Sequence, residues 1–282
     1  MILINKIYIN IYGLQDELMP EETDKDVTIR KPDKLRDIKS FISYAVGCMF
    51  GRYSLDIDGL AYAGGEFDWN KYKTFKPDQD NIIPITDETY FDDDITNRFI
   101  KFVEVVFGKD TLHDNLNYIA ETLGKRDTES DEDAIRRYFV NDFYNDHIKM
   151  YQKRPIYWLF DSGKKNGFKC LIYLHRYNKE LVSKIRVDYL HKTQNTYEKL
   201  LSDVEYKLNQ DISVQDVKKE QKRKIELTDK INECEVYEEE VADVANRMID
   251  LDLDDGVKVN YDKFTYINPK NGKEESILAK IK

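Results

Sequence analysis

The sequence predicts a mainly α fold of the α+β class: a helical domain with a central β-hairpin and a projecting antiparallel helical hairpin. Three observations support this prediction. Apolar residues recur at spacings of three and four over most of the chain, which is typical of amphipathic helices. Residues 155–175 contain two strand-like runs separated by a turn. Residues 179–251 contain two long helical patterns joined by a short link, which predicts two antiparallel helices.

Composition restricts the class of protein. The chain has 282 residues, of which 41% are hydrophobic, so it can bury one substantial core or two small ones. Charged residues make up 35%, and the longest uncharged helical run, residues 40–51, is too short to cross a membrane. We find no signal-peptide cleavage site, and the three separated cysteines suit a reducing compartment. We therefore expect a cytoplasmic protein with no membrane partner.

The N-terminal region is predicted to be an arm. Residues 2–12 are apolar and rich in β-branched side chains, which suits either a helix or a strand. Residues 19–26 form a charged connection. We expect residues 1–30 to connect this chain to an upstream domain.

Residues 31–178 are predicted to form the helical domain, which begins with a helix over residues 34–53. Its apolar residues follow helical spacing, while Ser43, Gly47 and Gly51 recur every four residues on one side. Small side chains let another backbone come close, although each glycine costs about 1 kcal/mol of helix propensity. This face predicts a tightly crossed partner helix.

Three more helices are predicted after a loop-rich stretch. Serine or threonine followed three residues later by an acidic residue is a capping signal, and both Thr111 with Asp114 and Ser130 with Asp133 fit it. Glycines after two of the apolar patterns mark helix ends. The predicted helices span residues 92–107, 111–123 and 130–151.

The central hairpin follows directly. Pro155 favours an extended backbone at the residue before it, and residues 156–160 are apolar on both faces. Residues 162–167 are of types that favour a turn. In residues 168–174, Phe, Cys, Ile and Leu on one side alternate with Lys, Leu and Tyr on the other. A buried β-hairpin with a basic tip is the simplest interpretation.

The rest of the chain is predicted as two segments. Residues 179–208 and 213–251 read as long helices, and the second has a heptad-like apolar seam, so residues 179–251 should project as a helical hairpin. Residues 252–282 should form a strand, because residues 257–267 alternate, followed by a lysine-rich tail.

Charge is distributed unevenly. The whole chain carries a net charge of -10, which argues against nucleic-acid binding by the entire surface. Residues 146–200, however, hold twelve Lys and Arg against five acidic residues, a local net charge of +7. Basic side chains neutralise phosphates, and aromatic ones can stack on bases. The alternative is that the aromatic residues belong to the core and the lysines keep a turn in solvent. The candidate DNA-binding residues are Lys149, Lys153, Arg154, Lys164, Lys165, Lys169 and Arg176.

Other motifs have a simpler structural interpretation. Residues 64–67 contain one acidic residue where the diguanylate cyclase signature needs two, and residues 250–261 lack the glycine and glutamate of an EF-hand loop. Asp33 and Asp37, with Lys39, are too close on one predicted helix for a typical nuclease triad. Asp188 and His191 could share a metal with His147 or His175, but nothing in the sequence fixes a third ligand. We expect no metal site.

Four segments, residues 9–18, 43–56, 153–160 and 252–261, resemble the C-terminal region of PglX-type adenine-specific DNA methyltransferases. These belong to bacteriophage-exclusion (BREX) systems and are related to restriction-modification methyltransferases. The resemblance implies an upstream methyltransferase domain as partner, double-stranded DNA as substrate and S-adenosylmethionine as the cofactor of the full-length parent. Other phage-defence proteins are further candidate partners.

The motifs of methyl transfer are missing from this chain. It has no Asn/Asp-Pro-Pro-Tyr/Phe motif, which holds a flipped adenine, and no Gly-x-Gly loop. We therefore predict no catalytic residue and no cofactor in this chain. The predicted function is a non-catalytic accessory domain that assists DNA engagement. The alternatives are a protein-interaction module that docks other defence components through the helical hairpin and a free-standing metal nuclease.

Overall fold

The computed structural model describes residues 2–21, 32–268 and 271–281. The chain divides into two compact units, residues 1–37 and 38–282. In the first unit, helix α1 (Ile2–Tyr12) resolves the helix-or-strand alternative in favour of a helix. Gly13, with a φ of 66°, follows it. Most of the predicted charged connection lies outside the described residues.

Helix α2 (Lys34–Met49) agrees with the prediction at its start and ends four residues early. The predicted partner helix is wrong, although the close approach is real. A Cβ on Gly47 would lie 2.4 Å from Cδ2 of Tyr53, and one on Gly51 would lie 2.6 Å from Cζ of Phe67. Aromatic side chains from the following loop fill the space that the glycines leave open.

Four helices, rather than three, form the next layer: α3 (Ile95–Phe107), α4 (Leu112–Thr122), α5 (Asp131–Asn141) and α6 (Phe143–Met150). The predicted third helix is divided at Asp142. The Ser130 capping box is confirmed, because the Asp133 N–H donates to Ser130 Oγ at 3.1 Å. The Thr111 box is wrong, because that hydroxyl donates to the Phe107 carbonyl at 2.8 Å instead.

The hairpin prediction is confirmed by strands β2 (Tyr157–Asp161) and β3 (Lys169–Tyr173), which pair antiparallel. A short strand, β1 (Ile83–Pro84), adds to the other edge of β3. Residues 277–281, called the C-terminal segment, lie along the free edge of β2, where the Ala279 N–H donates to the Leu159 carbonyl at 2.8 Å. Distant parts of the chain therefore converge on this small sheet.

Both faces of the sheet are buried, so it separates two cores. Alternate residues such as Tyr157 and Leu171 face the core that holds apolar residues of α2 to α6. Their neighbours, such as Trp158 and Ile172, face a second core. This explains why the strands read as continuous apolar runs.

The second core is covered by α7 (Leu181–Lys184), a π-helical segment (Ile185–Leu190), α8 (His191–Leu208) and α9 (Val214–Asn246). The predicted helical hairpin is present but does not stand clear of the body. The Tyr197 hydroxyl of α8 donates to the Gly167 carbonyl at 2.9 Å, and Cys234 and Tyr237 of α9 are fully buried against the sheet. No helix in the described part of the chain is long and apolar enough to span a membrane.

The strand predicted over residues 257–267 is wrong in its first half. Residues Val257–Asp262 form helix α10, and the strand β4 (Thr265–Ile267) follows and pairs with β5 (Glu274–Ser276). The adjacent residues Asn260 and Tyr261 are both buried, as on the inward face of a helix. The Asn260 amide donates to the Gly256 carbonyl at 3.0 Å and stabilises the turn.

Candidate nucleic-acid interface

The tip of the β2–β3 hairpin is bound to helix α9 through Glu233. Oε1 of this carboxylate accepts hydrogen bonds from Ser162 Oγ at 2.8 Å and the Gly167 N–H at 2.9 Å, and Oε2 accepts from the Lys165 N–H at 2.8 Å. The Lys165 ammonium lies 2.6 Å from Asp229 of the same helix, and that hydrogen bond raises the pKa of Lys165. The polar groups of the tip are therefore largely bonded to α9, although Lys164 is exposed.

Two further candidates are held inside the protein. The Lys169 ammonium donates to the Val140 carbonyl at 3.2 Å, and its side chain is only 10% exposed. The Arg176 guanidinium donates to three backbone carbonyls between 2.8 and 3.2 Å and lies 4.3 Å from the Phe67 ring centroid. Burial lowers the pKa of Arg176. Both cations therefore stabilise the fold through contacts inside the protein.

The remaining three candidates lie at the C-terminal end of α6. Lys149 is in its last turn, and Lys153 and Arg154 follow in the loop to β2; all three are exposed. The helix ends with two left-handed residues, Gln152 with a φ of 50° and Lys153 with a φ of 62°. The Lys153 N–H donates to the Ile148 carbonyl at 2.9 Å, which closes the helix end. Within the described residues, none of the three cations forms an ion pair.

Two basic residues that were absent from the candidate set border the same region. Lys153 lines a cavity of about 490 Å³ together with Lys258 of α10 and Lys280 of the C-terminal segment. These lysines are more than 100 residues from Lys153 in sequence, so no local pattern joins them. The only available signal was the lysine-rich C-terminus.

Beneath this region lies a buried histidine. His147 Nε2 accepts the Tyr157 N–H at 3.1 Å, which ties α6 to the start of β2. Burial, helped by the nearby Arg52, lowers the pKa of His147 to about 3, so the imidazole is neutral near pH 7. The neutral ring then carries its proton on Nδ1, which has no hydrogen-bond partner among the residues described. A neutral imidazole in this position is a structural acceptor.

The acidic motifs have structural partners. Asp33 accepts the Arg36 N–H at 3.0 Å, and Asp37 pairs with the Arg36 guanidinium at 3.1 Å. Asp252 accepts the Asp254 N–H at 3.0 Å, as a cap. His191 lies 3.2 Å from Glu238. Across residues 2–21, 32–268 and 271–281, no three His, Cys, Asp or Glu side chains are arranged to hold a metal ion.

Comparison with known proteins identifies two relatives, while no protein-family model matches. The chain is 49% identical over 263 residues to the adenine-specific methyltransferase PglX of Lacticaseibacillus casei (strain Zhang). It is 39% identical over 275 residues to the adenine-specific methyltransferase BrxX of Escherichia coli O9:H4 (strain HS). Each alignment covers 92% of this chain but only 22% of the relative. The resemblance found in the sequence is thus confirmed: this chain is homologous to a segment of the PglX and BrxX adenine-specific methyltransferases.

Proposed function

We propose that this chain is a non-catalytic C-terminal accessory part of an adenine-specific DNA methyltransferase of phage defence, and that it helps the enzyme hold duplex DNA. The homology to PglX and BrxX over 92% of the chain supports the parent activity. Residues 1–30 would connect to the upstream methyltransferase domain. The parent would work in the cytoplasm, where its DNA is found.

The methyl transfer itself is assigned to the upstream part of the parent. An adenine methyltransferase needs acceptors for the amino group of a flipped base, and the motif that supplies them is missing here. S-adenosylmethionine would bind in the upstream part as well, since this chain has no Gly-x-Gly loop. The chain can contribute to the reaction only by positioning.

The observation that carries the DNA proposal is the exposed cluster of Lys149, Lys153 and Arg154, which has no acidic partner among the described residues, in a chain of net charge -10. Lysine and arginine release counterions when they neutralise phosphates, and arginine can also form a bidentate pair. The negative charge elsewhere would repel DNA from other faces. Of the seven sequence candidates, these three and Lys164 are exposed and form no ion pair with another residue that the structure describes.

Fluorescence anisotropy with a labelled duplex of about 24 base pairs, at several salt concentrations, tests this proposal. We expect the affinity to fall with salt, and the Lys149→Glu/Arg154→Glu variant to lower the slope by about 1.8, at about 0.9 for each phosphate contact. A Lys218→Glu/Lys222→Glu variant changes the same net charge on exposed positions of α9 and serves as the control. Affinity that is independent of salt, or equal in wild type and Lys149/Arg154 variant, would contradict the proposal.

The second candidate is a protein-interaction module. Its supporting observation is that Tyr206, Val214 and Ile225 of the α8–α9 hairpin are 69%, 73% and 64% exposed. Large apolar side chains on a surface are typical of contact sites for other proteins. A Tyr206→Ser/Ile225→Ser variant should then lose other phage-defence proteins in a pull-down. Full retention of these partners would contradict this candidate.

A further inference from the structure

We propose that Lys153, Lys258 and Lys280 form a phosphate-binding groove, called the basic groove, and that a stretch of DNA backbone lies along it. This inference rests on the proposed DNA-binding function and specifies the surface and the contacted group. It adds two lysines that the sequence candidates did not include. It also predicts that the DNA path runs from the end of α6 towards the C-terminal segment and away from the hairpin tip.

The groove is built by three segments that are distant in sequence but fixed to one edge of the sheet. Lys153 follows α6, Lys258 lies on α10, and Lys280 follows Ala279, whose N–H donates to β2. The Tyr261 hydroxyl of α10 donates to the Ala279 carbonyl. The Tyr261 ring packs edge-to-face on Trp158 of β2 at 5.1 Å between centroids. The backbone that carries the lysines is therefore positioned by the core.

The charge balance of the groove favours an anion. All three lysines are exposed, and none has an ion pair within the described part of the chain. Asp262 is the acidic residue in the lining. Glu275 is also near Lys280, but its carboxylate already accepts hydrogen bonds from Asn268, Asn271 and Tyr266, which lower its pKa more than Lys280 does. An excess of two positive charges remains along the lining.

The floor of the groove strengthens this preference. Tyr261 and Leu278 line it and are buried, so apolar matter lies beneath the lysines. A low-dielectric floor screens charges less than water does, which strengthens the attraction between a lysine and a phosphate. Lysine ammoniums are point charges rather than planar forks, so they suit phosphate oxygens of the backbone better than the edges of particular bases.

The backbone at Lys153 allows its charge to be removed by a substitution that does not strain the chain. Its φ of 62° is left-handed, a conformation that costs an L-residue about 1–2 kcal/mol and that glycine adopts freely. A lysine therefore occupies a helix end where glycine would be the less strained choice. The adjacent Gln152 has the same left-handed backbone, with a φ of 50°, so the conformation belongs to the helix end. What distinguishes Lys153 is the charge that it places at the mouth of the groove.

The experiment uses the 282-residue chain, a labelled duplex of about 24 base pairs and a second duplex of unrelated sequence. At about 0.15 M salt each phosphate contact is worth about fivefold in affinity, so Lys258→Glu/Lys280→Glu should bind about 30-fold more weakly. The loss should be equal for both duplexes. Circular dichroism and the urea midpoint must match those of wild type, and Lys218→Glu/Lys222→Glu is the control for total charge.

The outcomes separate the groove from the proposed function. If wild type binds in a salt-dependent way and Lys149→Glu/Arg154→Glu is weakened while Lys258→Glu/Lys280→Glu is not, the groove is overturned and the DNA function stands. If wild type shows no salt-dependent binding, both are overturned. If the Lys258/Lys280 variant is weakened no more than the α9 control, the effect is one of total charge and the groove is again overturned. Selective weakening of the Lys258/Lys280 variant supports it.

Discussion

Replacing Lys153 by glycine should stabilise the protein and weaken DNA binding at the same time. The left-handed backbone at Lys153, with a φ of 62°, costs an L-residue about 1–2 kcal/mol. Glycine avoids this cost but loses about 0.5–1 kcal/mol more in backbone entropy on folding. The free energy of unfolding should therefore rise by about 0.7 kcal/mol, the difference between the midpoints of these two ranges. For a domain of this size that corresponds to an increase in Tm of about 1–4 °C.

The effect on DNA follows from the lost charge. One phosphate contact fewer should weaken binding about fivefold at about 0.15 M salt and reduce the salt slope by about 0.9. Urea unfolding and duplex anisotropy measure the two quantities on the same samples. The opposite directions make the result hard to attribute to partial unfolding, because an unfolded fraction would lower both stability and binding.

Gln152→Gly is the matched control. Gln152 has a similar left-handed backbone, with a φ of 50°, at the adjacent position of the same helix end, but it carries no charge. It should gain similar stability and retain wild-type DNA affinity. The backbone reasoning is refuted if Lys153→Gly unfolds at lower urea than wild type. The binding role of Lys153 is refuted if the glycine variant and wild type have the same affinity and salt slope.

Two further predictions concern the sheet and its contacts. Glu233→Ala removes three hydrogen bonds to the hairpin tip and should lower the free energy of unfolding, measured in urea, by about 2–3 kcal/mol. The control, Glu239→Ala at an exposed position of α9, should lower it by less than about 0.5 kcal/mol. Equal losses in the two variants would refute the role of Glu233. The folded pKa of His147, about 3, lies below the ordinary value of 6.5, so the unfolded chain binds the proton first as pH falls. The neutral His147 therefore makes its full contribution to the free energy of unfolding above pH 6.5. This contribution decreases towards pH 3, and about 2 kcal/mol of it is lost at pH 5. The His147→Gln variant should lose this part of the pH dependence. The control variant His113→Gln, at an exposed position, should keep it. Identical pH profiles for the two variants would contradict the assignment to His147.

Local signals predicted the elements whose ends are decided by neighbouring residues. The Ser130 capping box and the Pro155 start of the hairpin are examples. Prediction failed where a distant contact outweighed the local pattern. Alternation over residues 257–267 suggested a strand, but burial of Asn260 and Tyr261 together favours α10. The small-residue face of α2 signalled close packing, while only the folded chain shows that an aromatic side chain, Tyr53, supplies it.

The candidate DNA-binding residues likewise divide into those that the sequence could identify and those whose partners only the fold reveals. The cluster of Lys149, Lys153 and Arg154 could be found because these residues are near neighbours in the chain. The sequence could not show that Lys165 pairs with Asp229, which is 64 residues away, or that Lys169 is held by a carbonyl of α5. Positive charge in a sequence window says nothing about which partners the fold brings to each cation.

By itself, the sequence determined the mainly helical class, the hairpin between two helical regions, the uneven charge and the kinship with adenine-specific methyltransferases. These properties depend on periodicity, composition and strings of residues, which are local or additive along the chain. The tertiary structure alone decided which cations are used internally and which are exposed. It also decided that Lys153, Lys258 and Lys280 share one groove, because the C-terminal segment adds to the edge of β2 and brings residues more than 100 positions apart together. Long-range pairing of this kind is set by the packing of the core, which no local pattern records.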